Sequence, residues 1–253
     1  MALIAGADQA TAARLGVAMV ALQASIGALN DLVDAPTDAS RKPGKPIPTG
    51  LVSVGVARAV VAIGAALGLL LAAPSGPVVV ALAVAGLGIG YGYDLRAKGT
   101  PWSWLPFALG IPLLPVFGWF GAAGRLPSAF ALLVPAAMAA GAALAIANAR
   151  ADLERDAAAG LESVAIRLGS DRAWVVQAAL LAVVVLVVLG SLWLRGAPPL
   201  AVVGTVSATL LIAGGLVLGR RGAPDRRQQA WEIEAVGVAL LAVAWLAGFG
   251  DLR

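Results

Sequence analysis

The sequence predicts an all-α fold: a polytopic membrane bundle of about eight transmembrane helices. Three observations predict it. Of the 253 residues, 60% are apolar and only 13% charged, whereas a soluble domain runs nearer half apolar and a quarter charged. Mean hydropathy is +0.90. Eight stretches approach the ~20 mainly apolar residues that a membrane-spanning helix needs. This composition excludes a disordered chain and argues against a soluble globular enzyme.

In order, the stretches run Thr11–Asn30, Leu51–Ala73, Pro77–Tyr93, Trp102–Ala122, Ala129–Asn148, Ala173–Leu194, Pro199–Leu218 and Trp231–Phe249. Pro/Gly turns or charge clusters bound each of them. The third is short enough to be little tilted or partly re-entrant. The first is no signal peptide, because it lacks a basic leader and polar residues follow it instead of a small-residue cleavage site. The whole chain, 1–253, reads as a single transmembrane domain.

The charges are sorted. Alternate connections (31–58, 94–101, 149–172 and 220–234) hold 14 of the 18 basic residues, so by the positive-inside rule these loops are cytoplasmic and both termini face out. The same loops hold 12 of the 14 acidic residues. That rule acts on Lys and Arg and contributes little to Asp and Glu, so the acidic bias needs a separate cause. The seven tryptophans, Trp102, Trp104, Trp119, Trp174, Trp193, Trp231 and Trp245, fall near span ends and read as interfacial anchors. The 31 glycines suit close helix packing in lipid. Arg220, Arg221, Arg226 and Arg227 read as a topology or anionic-lipid cluster. A net charge of +4 is too small to point to nucleic acid.

The acidic residues carry the functional signal. Asn30-x3-Asp34-x3-Asp38 recurs as Asn148-x3-Asp152-x3-Asp156, at an offset of 118 residues, or four helices. This divides the chain into two pseudo-repeated four-helix halves. Positions i, i+4 and i+8 share one helical face. Pro36 is expected to end or bend the first helix before Asp38, which then reaches in from a loop. Carboxylate clusters that face each other repel unless cations lie between them. Hard oxygen ligands without nitrogen or sulfur favour Mg²⁺, which binds a few carboxylates together with substrate phosphate oxygens. With no cysteine and no histidine in the chain, thiolate, imidazole and His-zinc chemistry are excluded. A Mg²⁺–diphosphate site follows.

Basic residues flank both motifs. Arg41-Lys42-Pro43-Gly44-Lys45-Pro46-Ile47-Pro48-Thr49-Gly50 follows the first, Tyr93-Asp94-Leu95-Arg96-Ala97-Lys98 follows the third span, and Arg150, Arg155 and Arg167 flank the second motif. Such cations suit a diphosphate, although topology alone also places bases there. Lys45 and Lys98 stand out because each lies in a short, constrained loop. Gln23 lies seven residues before Asn30 on the same face, so it lines a cavity or bonds another helix.

These residues resemble the UbiA superfamily of intramembrane prenyltransferases. The family's N-D-x-x-D-x-x-x-D motif is matched by Asn30, Asp31, Asp34 and Asp38. Its R-P-[IL]-x-[ST]-G element is matched by Lys45 to Gly50, with Lys for Arg. Its second motif is matched by Asn148, Asp152, Asp156, Gly160 and Ser163, with Ser for Thr, and its Y-S-x-x-x-K loop by Tyr93 to Lys98, with Asp94 for Ser. The resemblance implies a helical bundle around a central cavity. It implies two Mg²⁺ ions held by Asn30, Asp34, Asp38, Asn148, Asp152 and Asp156, the four aspartates being catalytic. Arg41, Lys45, Tyr93, Lys98 and Arg150 would bind substrate, with Tyr93 and the bases at the leaving diphosphate. A prenyl or polyprenyl group would pass from an allylic diphosphate to an aromatic quinone precursor or another lipid or small-molecule acceptor, inside the inner membrane among its lipids. The active-site loops would be cytoplasmic. The family usually places this first motif after a second helix, so its first helix has no counterpart here. The expectation is a start assigned too far downstream, or a reduced member. The competing readings are a non-catalytic, reduced lipid-binding relative, a CDP-alcohol phosphotransferase (whose D-G-x2-A-R segment is missing) and a cation transporter, whose acids would lie nearer the bilayer midplane.

Overall fold

In a computed structural model of the chain, residues 1–41 and 44–248 are described, with the side chain of Arg41 left out. Every regular element among them is helical. The α-helices are α1 (Gln9–Arg41), α2 (Val54–Ala72), α3 (Pro77–Gly92), α4 (Leu105–Ala123), α5 (Phe130–Ala151), α6 (Leu153–Ala158), α7 (Val164–Leu168), α8 (Ser170–Arg195), α9 (Pro199–Gly219) and α10 (Pro224–Ala247). A 3₁₀ turn at Ala73–Ser75 and a π turn at Tyr93–Ala97 complete them. Eight helices are long and apolar enough to cross a membrane, as the hydropathy pattern predicts.

The chain forms two compact units. The first is Met1–Arg96 with Leu113–Leu126, and the second is Ala97–Pro112 with Pro127–Arg253. In the first, Leu15, Ala18 and Leu22 of α1 pack with Ala72, Val79, Ala83, Leu87 and Phe117. Small residues let the backbones close up: a methyl group on Gly64 of α2 would lie 2.8 Å from the Ala21 carbonyl oxygen of α1. Asp8 caps α1 by accepting the Thr11 backbone N–H at 2.8 Å. Ser53 caps α2 by accepting the Val56 N–H at 3.2 Å. Arg14 bonds Ser75 Oγ at 2.7 Å, which ties α1 to the far end of α2.

In the second unit α5 is the buried element, with Ala140–Ala147 and Ala149–Ala151 all inside. A helix apolar on every side belongs at the centre of its unit. Ile146 and Ala149 pack against Val164 and Ala165 of α7 and Ala173 of α8. The α9–α10 pair is close because Gly215, Gly219 and Gly237 stand at its contacts.

Four expectations need correction. Pro36 neither ends nor precedes a loop, because α1 runs through it to Arg41. A proline removes one i→i−4 donor, and the turns on both sides hold the helix together. The third span is not short: the π turn continues α3, so the apolar segment runs Pro77–Ala97, 21 residues. The last helix begins at Pro224, not Trp231, which draws Arg227 from a loop into packed structure. Trp119 and Trp245 are buried (2% and 3% exposed) and serve the core, whereas Trp102 and Trp193 (65% and 88%) are exposed as interfacial anchors would be.

Candidate functional site

The first motif lies on the last turns of α1. Because the helix is continuous, Asn30, Asp34 and Asp38 share one face. Asp38 is buried at 7% exposure. Lys45, brought back by the turn after α1, places its Nζ 2.8 Å from Asp38 Oδ2 and 2.9 Å from Asp31 Oδ1. Burial alone would lower the Lys45 pKa, but the hydrogen bonds and attraction of Asp38 and Asp31 outweigh it and push it up to about 12. The ammonium is therefore fixed as a cation between two carboxylates.

Further along the same face, Asn30 Nδ2 donates to Asp94 Oδ1 at 2.8 Å, and Asp94 is 5% exposed. This meeting is set up from below. Ser25 Oγ donates its single hydrogen to the Val61 carbonyl at 2.6 Å, so Tyr91 Oη, 2.6 Å away, must donate to Ser25 Oγ. That chain fixes the register of α1, α2 and α3 a turn or so before Asn30 and Asp94. Gln23, by contrast, is exposed, and its Nε2 donates to Met19 Sδ of its own helix at 3.9 Å. Tyr93 is half-buried at the start of the π turn.

The second motif is built differently. Helix α5 ends at Ala151, and Asp152 adopts φ −94°, ψ 4° before α6 starts. The register survives the interruption: Asp152 N–H bonds the Asn148 carbonyl at 3.2 Å, and Asp156 N–H bonds the Asp152 carbonyl at 2.8 Å. The expected single helical face is thus a helix end, a hinge residue and a short helix. Arg155 pairs with Asp152 from the next turn. Arg227 pairs with Glu154, and this hydrogen bond holds the Glu154 carboxyl below its ordinary range.

Arg150 is 2% exposed. Its guanidinium donates to the Ser170 carbonyl at 3.2 Å, Gln177 Oε1 at 3.3 Å and the Gly219 carbonyl at 3.0 Å, and Gln177 Nε2 donates to Glu234 Oε2 at 2.6 Å. These groups lock α5, α8, α9 and α10 together behind the motif, so we read Arg150 as a structural cation. Of the four arginines read as a topology or anionic-lipid cluster, Arg227 is 7% exposed and paired with Glu154, and Arg220 lies 4.9 Å over the Trp174 ring.

Lys98 is exposed, in the segment just after the π turn. Its neighbour Gly99 accepts the Glu162 N–H at 3.0 Å, which docks this segment onto the turn that follows the second motif. The Arg41 side chain lies outside the described residues.

The donor set of both motifs is oxygen only, which suits a hard divalent ion. At each motif a basic nitrogen already stands against a carboxylate, Lys45 at Asp38 and Arg155 at Asp152. Among the described residues no three acidic side chains gather about one point as a ready metal cage.

A model of the UbiA prenyltransferase family matches residues 1–249. The chain belongs to this family. Solved structures share the fold. A UbiA homologue from Aeropyrum pernix K1 superposes with a TM-score of 0.80 at 22% identity, over 96% of this chain and 92% of that one. Digeranylgeranylglyceryl phosphate synthase does so with a TM-score of 0.73 at 18% identity, over 95% and 86%. A UbiA homologue from Archaeoglobus fulgidus, bound to DMAPP and Mg²⁺, gives 0.64 at 22% identity, over 94% and 90%. No curated protein matches the chain. As a UbiA member with eight candidate spans, the chain is a multi-pass membrane protein.

Sequence reasoning missed Gln177 and Glu234 and did not give Asp94 its partner. The available signal was isolation: a single polar side chain inside an apolar span is expensive there unless another polar group meets it.

Proposed function

We propose that this UbiA family member transfers a prenyl or polyprenyl group from an allylic diphosphate to an acceptor within the membrane, with Mg²⁺ as cofactor. Asn30, Asp34 and Asp38 would ligate the metal from the first motif, and Asn148, Asp152 and Asp156 from the second. Bound there, Mg²⁺ would act as a Lewis acid on the diphosphate leaving group. The observation that carries this reading is that each acidic motif of a UbiA chain already holds a cationic side chain on its carboxylates. A surface that binds ammonium and guanidinium groups through oxygen suits metal ions that arrive with a diphosphate.

Lys45, Lys98, Tyr93 and Arg41 would hold the leaving diphosphate by charge and hydrogen bonding as the allylic C–O bond breaks. Lys45 would move from Asp31 and Asp38 to phosphate oxygens. The apolar spans would keep the prenyl chain and exclude water from the allylic cation until the acceptor attacks. The A. fulgidus homologue bound to DMAPP and Mg²⁺ supports the donor class. The acceptor class, an aromatic quinone precursor or another lipid or small molecule, and the placement of the motif loops on the cytoplasmic side of the inner membrane complete the proposal.

The test incubates membranes containing the protein with labelled prenyl diphosphate, Mg²⁺ and candidate acceptors. Labelled lipid should form, and Asp34→Asn or Asp152→Asn should lower its formation on the order of a hundred-fold. Full transfer by either variant would overturn the assignment. Binding of the diphosphate without transfer to any acceptor would favour the non-catalytic reading.

A further inference from the structure

We propose that Asp94 is a positioning residue for the metal site of the first motif, acting through Asn30. This rests on the metal-binding reading above. An asparagine amide has a donor end and an acceptor end, and only the oxygen can ligate a cation. Asp94 Oδ1 is the acceptor in its contact with Asn30, which sets the end of the amide that faces it. Asp94 takes the Nδ2 end at 2.8 Å. The carbonyl oxygen is left as the end available to a metal, and the hydrogen bond to Asp94 polarises the amide so that this oxygen becomes a better ligand.

The arrangement is built rather than incidental. Asp94 is 5% exposed and sits on the π turn Tyr93–Ala97. Wide π turns recur at functional sites. The Ser25–Val61–Tyr91 chain holds the two helices in the register that brings Asn30 and Asp94 together. A serine here would be a bond shorter and uncharged, so it would supply neither the reach nor the polarisation.

The experiment measures Mn²⁺ affinity of the full-length, detergent-solubilised protein. The signal of free Mn²⁺ is followed by electron paramagnetic resonance, with and without an unreactive thiolodiphosphate analogue of a short prenyl diphosphate. Asp94→Ala should bind Mn²⁺ about tenfold more weakly and need correspondingly more Mg²⁺ for half-maximal transfer, with an unchanged donor KM at saturating Mg²⁺. Asp94→Asn keeps an acceptor for Asn30 and loses only the charge, so it should fall between Asp94→Ala and the parent. If Asp94→Ala does not fold, Asp94→Ser takes its place with the same expectation. Parent-like Mn²⁺ affinity in Asp94→Ala or Asp94→Ser overturns the proposal. So does an Asp94→Asn as weak as Asp94→Ala, because the hydrogen bond would then be immaterial. Asp34→Asn separates the two readings. If it also binds Mn²⁺ like the parent, or the parent binds none, the metal site itself is refuted and the role of Asp94 falls with it.

Discussion

The two aspartate motifs have the same spacing and different supports. The first rides on an unbroken helix and is held from the front, by Lys45 on Asp31 and Asp38 and by Asp94 on Asn30. The second straddles a helix end and is held from behind, by Arg150, Gln177 and Glu234 within the packed helices and by Arg227 on Glu154. The repeat therefore fixes which atoms are offered, and each unit solves separately the problem of keeping them in place. At the front, Lys45 and Asp31 are partly exposed and can exchange partners, while Asp38 and Asp94 are buried. At the back, Arg150, Gln177, Glu234 and Arg227 are all buried, and only Glu154 is exposed.

The largest effect should come from breaking the back support. Arg150→Leu leaves Glu234 and Gln177 buried without their guanidinium, and loss of one partner of a buried pair costs about 3–5 kcal/mol. Thermal unfolding in detergent should show the loss. The triple variant Arg150→Leu, Gln177→Leu, Glu234→Leu should recover much of it, because the penalty belongs to stranded polar groups. Failure to recover would mean that the network also selects the helix packing.

The front support should respond in the opposite way. Lys45→Ala removes two ion pairs that share a partly exposed lysine, so stability should fall less than in Arg150→Leu. Donor KM should rise clearly with little change in thermal midpoint. A Lys45→Ala protein as unstable as Arg150→Leu would erase the distinction between the two motifs. An intermediate case is Arg227→Ala, which strips Glu154 of its partner and gives up buried packing. It should destabilise more than Lys45→Ala and less than Arg150→Leu in the same assay.

The smallest effect is expected far from either motif, at Asp8. Its carboxyl is held below the ordinary value chiefly by the Thr11 backbone N–H, with the Thr11 hydroxyl second. A group depressed on folding contributes stability that is present above its unfolded pKa and is lost as pH falls through the folded value. Asp8→Ala should therefore have a slightly lower thermal midpoint than the parent at neutral pH. The gap should close as pH drops below about 4. A gap that persists unchanged at low pH would show that the cap works without its charge.

Much of this was readable from the chain. The spans follow from hydropathy, and the donor atoms of both motifs follow from residue type and spacing. What escaped depends on tertiary context. Pro36 looks like a helix terminator by local rules, yet flanking turns carry α1 through it. Asp152 looks like mid-helix by spacing, yet its backbone leaves the helical region. Arg150 looks like a motif base by its position, and only the carbonyls of Ser170 and Gly219 and the Gln177 side chain, far off in sequence, show that it faces inward. Trp119 and Trp245 are span-end residues whose rings happen to turn toward neighbours.

The length of α1 has a consequence of its own. At 33 residues a straight helix is about 50 Å long, while the hydrocarbon of a bilayer is only about 30 Å thick. An ordinary tilt of roughly 20° shortens its reach by only a few ångströms. Because the hydrophobic stretch occupies the earlier turns, the surplus falls at the end that carries Asp34 and Asp38. A helix of this length would act as a mast, long enough to lift its carboxylates beyond the oil toward headgroup height. A lipid whose tail stays dissolved in the membrane presents its charged head at that same level.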